Sequence, residues 1–433
     1  MPIWHYSLIP KQETRSRKAT LGGIRRRTVR MRGVTVQMIH VVGTCDTKGE
    51  EIAWLRDLIV AAGQPAVIVD LGTRAPTIAP DIPARHIAAC HPDGADAVMG
   101  GTDRGAAVSA MGSAFATWCS THAAGISGII AVGGGGGTSI ACAGMRELPY
   151  GVPKLMVSTL ASGDTAPFIG TSDIAMIPAV TDIAGLNRLS RVILSNAAHA
   201  LVGAVTAPAL AATADLPALG LTMFGVTTPC VTAITGLLRD RFDCLVFHAT
   251  GTGGRAMERL LGQGLLSGLI DITTTEIADL LFGGVLPALP DRLDVVARTG
   301  APWVGSVGAL DMVNFWAPAT VPDRYRDRLF YHHNPNVTLM RTTPDENAQL
   351  GRWIAEKLNR CPGPVRLLIP ENGVSALDIA GGPFWWPEAD TALFTALRAT
   401  IADPARLIFL PCHINDPAFA RAAADTFLDL VEP

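Results

Sequence analysis

The sequence predicts an α/β fold built on parallel sheets. Short apolar runs rich in β-branched residues alternate with helix-compatible stretches, and glycine-rich turns lie between them. In addition, 48% of the residues are hydrophobic and only 17% are charged. Strands that are covered by helices on both faces have this composition. Because 433 residues exceed the size at which one core keeps growing, we expect two domains.

The expected domain boundary lies in a segment of small residues that follows a long apolar helix. It divides the chain into a basic arm at 1–33, an N-terminal domain at 34–206 and a C-terminal domain at 207–433. Each domain is expected to hold a doubly wound parallel sheet, with a cleft between the two.

The first 33 residues contain nine Lys or Arg and one acidic residue. This arm could be a targeting peptide, a nucleic-acid tail or upstream sequence translated from an early start codon, and we favour the last, with Met31 as the start. The rest of the chain has 26 basic and 37 acidic residues, a net charge of −11. An acidic body binds nucleic acid poorly, so no nucleic-acid partner is expected.

Two further features bear on the cellular location. No apolar run approaches the roughly 18 residues that a membrane span requires, so no membrane partner is expected. The eight cysteines occur singly, without CxxC pairs, which indicates a reducing compartment and argues against disulfides and structural zinc. The sequence therefore predicts a cytoplasmic protein.

In the N-terminal half, apolar runs predict strands and helical spacing predicts helices. The expected strands are 34–42, 66–70, 128–132 and 154–158, and the expected helices are 50–62, 104–124, 139–146 and 183–205. A loop rich in Pro and Gly is expected at 71–83.

The C-terminal half repeats this alternation. The expected strands are 218–224, 244–248, 269–273, 293–298, 365–369 and 407–410, and the expected helices are 228–238, 256–261, 275–281, 344–359, 390–400 and 417–430. The region 303–341, rich in Pro and aromatic residues, is expected to be irregular and to serve as a functional loop or an interface.

A run of five glycines marks the clearest candidate site. It comprises Gly133, Gly134, Gly135, Gly136 and Gly137, followed by Thr138, and it joins a predicted strand to a predicted helix. Glycine allows positive φ and close approach of a ligand, and the free N–H groups of a helix N-terminus attract anions. A tight crossover turn without a ligand is the alternative.

Two other predicted strands end in small polar loops at the same sheet edge. The residues that could hold phosphate are Thr44, Asp46, Thr47 and Lys48 in the first loop and Ser162, Gly163, Asp164 and Thr165 in the second. Lysine can neutralise phosphate, and Asp46 or Asp164 could position Mg²⁺. Singly, each has an ordinary alternative: Lys48 as a solvated residue, and Asp46 and Asp164 as helix caps.

The C-terminal half offers weaker candidates. A second glycine turn, a second candidate anion site, contains Gly251, Thr252, Gly253, Gly254 and Arg255. His248, Glu371 and His413 follow predicted strands and are candidate catalytic residues. No Ser-His-Asp order and no nucleophile elbow accompanies them, so catalytic roles stay unassigned.

Four segments in the same order, 43–51, 133–138, 158–164 and 334–343, resemble the Tm-1-like ATP-binding family, also called UPF0261. The similarity covers about residues 34–430 and leaves the basic arm outside it. The resemblance implies two Rossmann-like subdomains, ATP binding in the N-terminal one, and self-association into a dimer or larger homo-oligomer.

The leading hypothesis is therefore an ATP-binding protein that uses Mg²⁺ and the glycine-rich loops of the N-terminal domain. The alternative is an enzyme that acts on a small phosphorylated or carboxylated metabolite in the interdomain cleft. A dinucleotide-binding oxidoreductase is a weaker third hypothesis, because the GxGxxG motif is missing after the first strand. Asp70, at the position of the acid that binds the ribose, is then the single match to the dinucleotide-binding pattern.

Overall fold

The structure is a computed structural model that describes residues 37–101, 103–208 and 216–432. The basic arm at 1–33 lies outside the described residues. The described part of the chain forms an α/β protein with two parallel sheets, flanked by helices as in Rossmann-like subdomains. The predicted fold class is confirmed.

The N-terminal domain holds a five-stranded sheet in the order β2-β1-β3-β4-β5, in which all neighbours are parallel. Its elements are β1 (Met38–Gly43), α1 (Gly49–Ala61), β2 (Ala66–Asp70), α2 (Ala84–Ala88), α3 (Ala95–Met99), α4 (Arg104–His122), β3 (Ile126–Gly133), α5 (Gly135–Met145), β4 (Lys154–Ser158), α6 (Ala166–Ile169), β5 (Ala175–Pro178) and α7 (Arg188–Thr206).

Alternation along the strands divides the core of this domain into two layers. Val41 and Ile130 pack with α1 and α7, whereas Ile129 and Ala131 pack with α4 and α5. The chain moves from β1 outward to β2 and then crosses back to β3 on the other side of β1. The crossover direction thus reverses between β1 and β3, which is where open α/β sheets bind ligands.

The C-terminal domain holds a six-stranded parallel sheet in the order β14-β13-β9-β8-β6-β7 and a three-stranded antiparallel sheet in the order β10-β12-β11. Its elements are β6 (Ala218–Met223), α8 (Thr228–Leu238), β7 (Asp243–His248), α9 (Thr252–Gly262), β8 (Gly268–Thr273), α10 (Thr275–Phe282), α11 (Asp294–Thr299), β9 (Trp303–Gly308), β10 (Met312–Phe315), β11 (Phe330–Asn334), β12 (Val337–Arg341), α12 (Pro344–Asn359), β13 (Val365–Pro370), α13 (Pro387–Thr400), β14 (Leu407–Leu410) and α14 (Pro417–Val431). Its first strand also lies inside the sheet, so the crossover direction reverses between β6 and β8.

Two sequence expectations were wrong in this domain. The strand expected at 293–298 is the helix α11, bounded by left-handed Leu293 and Gly300, and its adjacent residues Val295 and Val296 are both buried. A short apolar run does not distinguish a strand from a buried helix. The region 303–341, expected to be irregular, contains β9 in the middle of the sheet and the antiparallel strands β10 to β12.

Among the described helices, α7 alone is long and apolar enough to cross a membrane by length and composition. Its residues Leu194, Ala197 and Leu201 are buried in the core against β3 and β4. One face of this helix therefore packs in the core of the N-terminal domain, and the cytoplasmic location stays a prediction.

Candidate functional site

A pocket of about 290 Å³ opens at the carboxyl edge of the N-terminal sheet, at the reversal between β1 and β3. Loops after three adjacent strands contribute to it, together with the start of α4. Its walls are formed by Thr44, Asp46, Thr47 and Lys48 after β1, Leu71, Thr73 and Arg74 after β2, Gly134, Gly135, Gly136, Gly137 and Ile140 after β3, and Arg104 and Val108 on α4.

The glycine run is not the open loop that the sequence suggested. The helix α5 begins at Gly135, so Gly135, Gly136 and Gly137 form its first turn, and Gly134 precedes it without a side-chain cap. None of the five glycines has a positive φ, which corrects the expectation stated above. The four that line the pocket, Gly134 to Gly137, leave room there, because the first N–H groups of α5 then border it without an intervening side chain.

Close packing requires glycine at one position of this turn. A Cβ on Gly133 would lie 2.9 Å from the backbone carbon of Gly137. At Gly135, by contrast, the nearest atom to an added Cβ is a side-chain carbon of Leu160 at 3.7 Å, which is ordinary contact. A Cβ at position 135, which borders the pocket, would therefore fit the fold.

Three cationic side chains line the pocket. The Lys48 ammonium donates a hydrogen bond to the carbonyl of Ile183 at 2.5 Å, which leaves two of its three donors available. Arg74 follows β2, Arg104 begins α4, and both residues are exposed. Sequence reasoning missed these two arginines, although Arg74 follows a strand that is next to β1 and could have been found by that signal.

Asp46 supplies the acidic group of the pocket. Its Oδ1 is buried and has no hydrogen-bond partner among the described residues. The neighbouring Asp70, by contrast, has partners, because its Oδ1 accepts from the backbone N–H groups of Cys45 at 2.9 Å and Gly72 at 2.8 Å. Burial, and next the charge of Asp70, raise the pKa of the Cys45 thiol well above its ordinary value, so Cys45 is an unreactive core residue.

Other residues of the predicted phosphate site lie outside this pocket. Ser162, Gly163 and Asp164 are exposed, and the Asp164 carboxylate accepts from the N–H of Ala166 at 3.0 Å, as a capping residue does. Thr138 is buried, and its hydroxyl bonds the hydroxyl of Ser158 at 2.7 Å. The structure thus brings the loops after β1 and β3 together and leaves the segment 162–165 apart.

At the second glycine turn, the chain supplies its own anion. The N–H of Gly251 donates to the Glu276 carboxylate at 2.7 Å, at the start of α9. An added Cβ on Gly254 would clash with the same carboxylate, and one on Gly253 would clash with the carbonyl of His248. Close backbone packing explains these glycines, and an external anion would have to displace Glu276. Thr252 and Arg255, the other two residues of this candidate anion site, belong to the first turn of α9.

The three candidate catalytic residues do not share a pocket. His248 lines a cavity in the C-terminal domain. His413 is buried, and its Nε2 lies 2.9 Å from the carbonyl oxygen of Ser375. Glu371 is exposed and lies 3.8 Å from Arg398. None of them lines the pocket that contains Lys48.

Comparison with known proteins places the chain in a family. The model of "Uncharacterised protein family (UPF0261) N-terminal domain" matches residues 37–209, and that of the corresponding C-terminal domain matches residues 216–431. A UPF0261 protein of Rhizobium meliloti (strain 1021) is 62% identical over 400 residues, which cover 92% of this chain and 100% of that protein.

A more distant relative is a plant protein. The ToMV resistance protein Tm-1 of Solanum lycopersicum is 40% identical over 418 residues, which cover 90% of this chain and 55% of the longer plant protein. A UPF0261 protein of Clostridium tetani is 45% identical over 399 residues, 91% of this chain and 99% of its own. Both family models and the full-length similarity to these proteins lead to one conclusion: the chain belongs to the UPF0261 family, whose members include the Tm-1 proteins of tomato.

Proposed function

We propose that the protein binds ATP, with its phosphates in the pocket at the β1/β3 reversal of the N-terminal sheet. The observation that carries this proposal is the convergence of an uncapped, glycine-only helix start with Lys48, Arg74 and Arg104. Backbone N–H groups and guanidinium groups are the usual partners of phosphate oxygens. Calorimetric titration with ATP and MgCl₂ tests it, and the absence of both heat and thermal stabilisation at millimolar nucleotide would refute it.

A substitution at position 135 separates binding from folding. Gly135→Asp places a carboxylate at the first turn of α5, which favours the helix, and its Cβ meets only Leu160 at ordinary distance. We expect the free energy of unfolding to change by no more than about 0.5 kcal/mol. The same carboxylate repels phosphate, so ATP affinity should fall by at least about tenfold, or about 1.4 kcal/mol.

The matched control is Gly203→Asp, an exposed position on α7 where an added Cβ has no neighbour within 4 Å. It should bind ATP as the wild type does. Equal ATP affinity in Gly135→Asp and the wild type would place the nucleotide elsewhere.

We propose that Mg²⁺ accompanies the nucleotide and that Asp46 helps to hold it. Mg²⁺ binds through one or two carboxylates, phosphate oxygens and water, and when bound it neutralises phosphate charge. The buried, unpartnered Oδ1 of Asp46 fits that requirement among the described residues. Thr44 and Thr47, whose hydroxyls bond each other at 2.7 Å, are adjacent oxygen donors.

Asp46→Asn should therefore remove the increase in ATP affinity that MgCl₂ produces over EDTA, while affinity in EDTA stays the same or rises. Calorimetry in the two buffers measures both values. Asp57→Asn, at an exposed position of α1, is the control and should keep the full magnesium effect. An undiminished magnesium effect in Asp46→Asn would exclude Asp46 from the metal site.

We also propose that the protein is a homo-oligomer, as the family resemblance implies, and that it is cytoplasmic, as its single cysteines indicate. Sedimentation velocity of the full chain measures its mass directly, and a monomer at micromolar concentration would contradict the proposal. A small-molecule substrate of the interdomain cleft stays a prediction.

A further inference from the structure

A second cavity, of about 530 Å³, lies at the carboxyl edge of the C-terminal sheet. Phe224 and Val226, which follow β6, and His248, which ends β7, form one side of it. The three-stranded antiparallel sheet forms the other side through residues such as Tyr331. The cavity thus occupies in the second sheet the position at which doubly wound sheets bind ligands.

The chemistry of its walls differs from that of the phosphate pocket. No Lys, Arg, Asp or Glu of the described residues lines this cavity. Its walls carry the aromatic rings of Phe224, Trp316 and Tyr331, and Trp316 is 50% exposed. A cavity of this volume with apolar, aromatic walls suits an uncharged planar molecule. Its walls would not compensate for the free energy of desolvating a phosphate.

One polar group on the wall lacks a partner. Asn314 on β10 is fully buried, and its side-chain nitrogen donates to the Asp279 carboxylate at 3.1 Å, which fixes the orientation of the amide. Its Oδ1 has no hydrogen-bond partner among the described residues. A buried acceptor without a donor costs free energy, and a ligand with an N–H group would satisfy it.

We propose that this cavity binds an uncharged, planar heteroaromatic compound, with the rings packed among Phe224, Trp316 and Tyr331 and an N–H group donated to Asn314. The site is separate from the nucleotide pocket, so it can be tested without ATP. It gives the C-terminal domain a ligand of its own.

The test uses indole and 1-methylindole as probes of the full-length protein, by calorimetry and saturation-transfer NMR. The two molecules present the same fused ring, but only indole carries an N–H donor. Indole should bind at millimolar concentration or better, and 1-methylindole should bind at least about fivefold more weakly. Equal binding of the two, or no binding of indole, would overturn the proposal.

A variant that fills the cavity locates the binding. Ala376 lines the cavity and is exposed, so Ala376→Trp narrows the cavity without replacing a core residue. We expect at least tenfold weaker indole binding, with a melting temperature close to that of the wild type. Ala61→Trp, at the exposed end of α1, is the control and should bind indole normally. Unchanged binding in Ala376→Trp would show that indole binds elsewhere and would overturn the assignment.

Discussion

Arg292→Met is expected to lower the free energy of unfolding of the C-terminal domain by about 3–5 kcal/mol. The guanidinium is almost fully buried and contacts three carboxylates: Glu276 at 2.8 Å, Glu258 at 2.8 Å and Asp271 at 2.8 and 2.9 Å. Methionine would leave these carboxylates without their cation in a region of low dielectric. Such uncompensated charge is among the most destabilising consequences of a single substitution.

Urea denaturation measures the change, and hydrogen exchange followed by mass spectrometry locates it in residues 216–432. Arg298→Met is the matched control, since Arg298 is exposed on α11. Its effect should stay within about 0.5 kcal/mol. If the two variants unfold alike, the buried cluster is not a source of stability.

The second large effect concerns pH. The C-terminal domain should become less stable as the pH rises from about 5 to about 8.5, because three buried carboxyls lie near a single buried guanidinium, that of Arg341. Asp378 and Asp390 lie 3.6 and 2.8 Å from it, and Asp311, which accepts from the Ser375 hydroxyl at 2.8 Å, is influenced by its charge. Burial, together with the charge of Asp378, raises the pKa of Asp311 to about 7 and that of Asp390 to about 8. Both carboxyls are buried, so little solvent screens them.

The sign follows from proton binding. In the unfolded chain an aspartate has a pKa of about 3.9, so it releases its proton at a pH where the folded protein still holds it. Between these values the folded state binds more protons, and raising the pH therefore favours unfolding. One unit of pKa difference corresponds to about 1.4 kcal/mol, so the loss over this window should exceed about 2 kcal/mol.

Asp390→Asn should flatten this pH dependence, because the amide keeps an acceptor for Arg341, whose nitrogen lies 2.8 Å from the carboxylate, and cannot ionise. Urea denaturation at several pH values between 5 and 8.5 measures it. Asp425→Asn, exposed on α14, should keep the wild-type slope. A stability that is constant or rises over this window would show that the cluster is ionised in the folded protein.

The sequence was sufficient to predict the α/β class and most of the N-terminal sheet, because buried parallel strands such as β2 and β4 are continuous apolar runs. It failed at β9, where Gly305 and Gly308 interrupt the apolar pattern; the ring of Trp303 fills the space beside Gly305. A hydrophobicity pattern reports only the type of each side chain in turn. The strand β9 forms because it is hydrogen-bonded on both sides, between β8 and β13, and the pattern does not show that.

The sequence predicted those residues of the candidate site that directly follow a strand. Lys48 and the glycine turn could be identified in this way, since the ends of parallel strands meet at one edge. Arg104 could not, because its place in the pocket depends on where α4 crosses the sheet. The cluster around Arg341 was equally hidden, since Arg341 contacts Asp378 and Asp390 from distant segments of the chain.

The ordinary helical conformation of Gly135 has a consequence for how natural variation in this family should be interpreted. A glycine that the backbone requires is retained by every lineage that keeps the fold, whereas this one can be lost without strain. A homologue with a side chain at this position would still fold, but under the proposed function it would bind ATP more weakly. If the proposed function is right, a change at position 135 alters binding without altering the fold, whereas a change at Gly133 alters the fold.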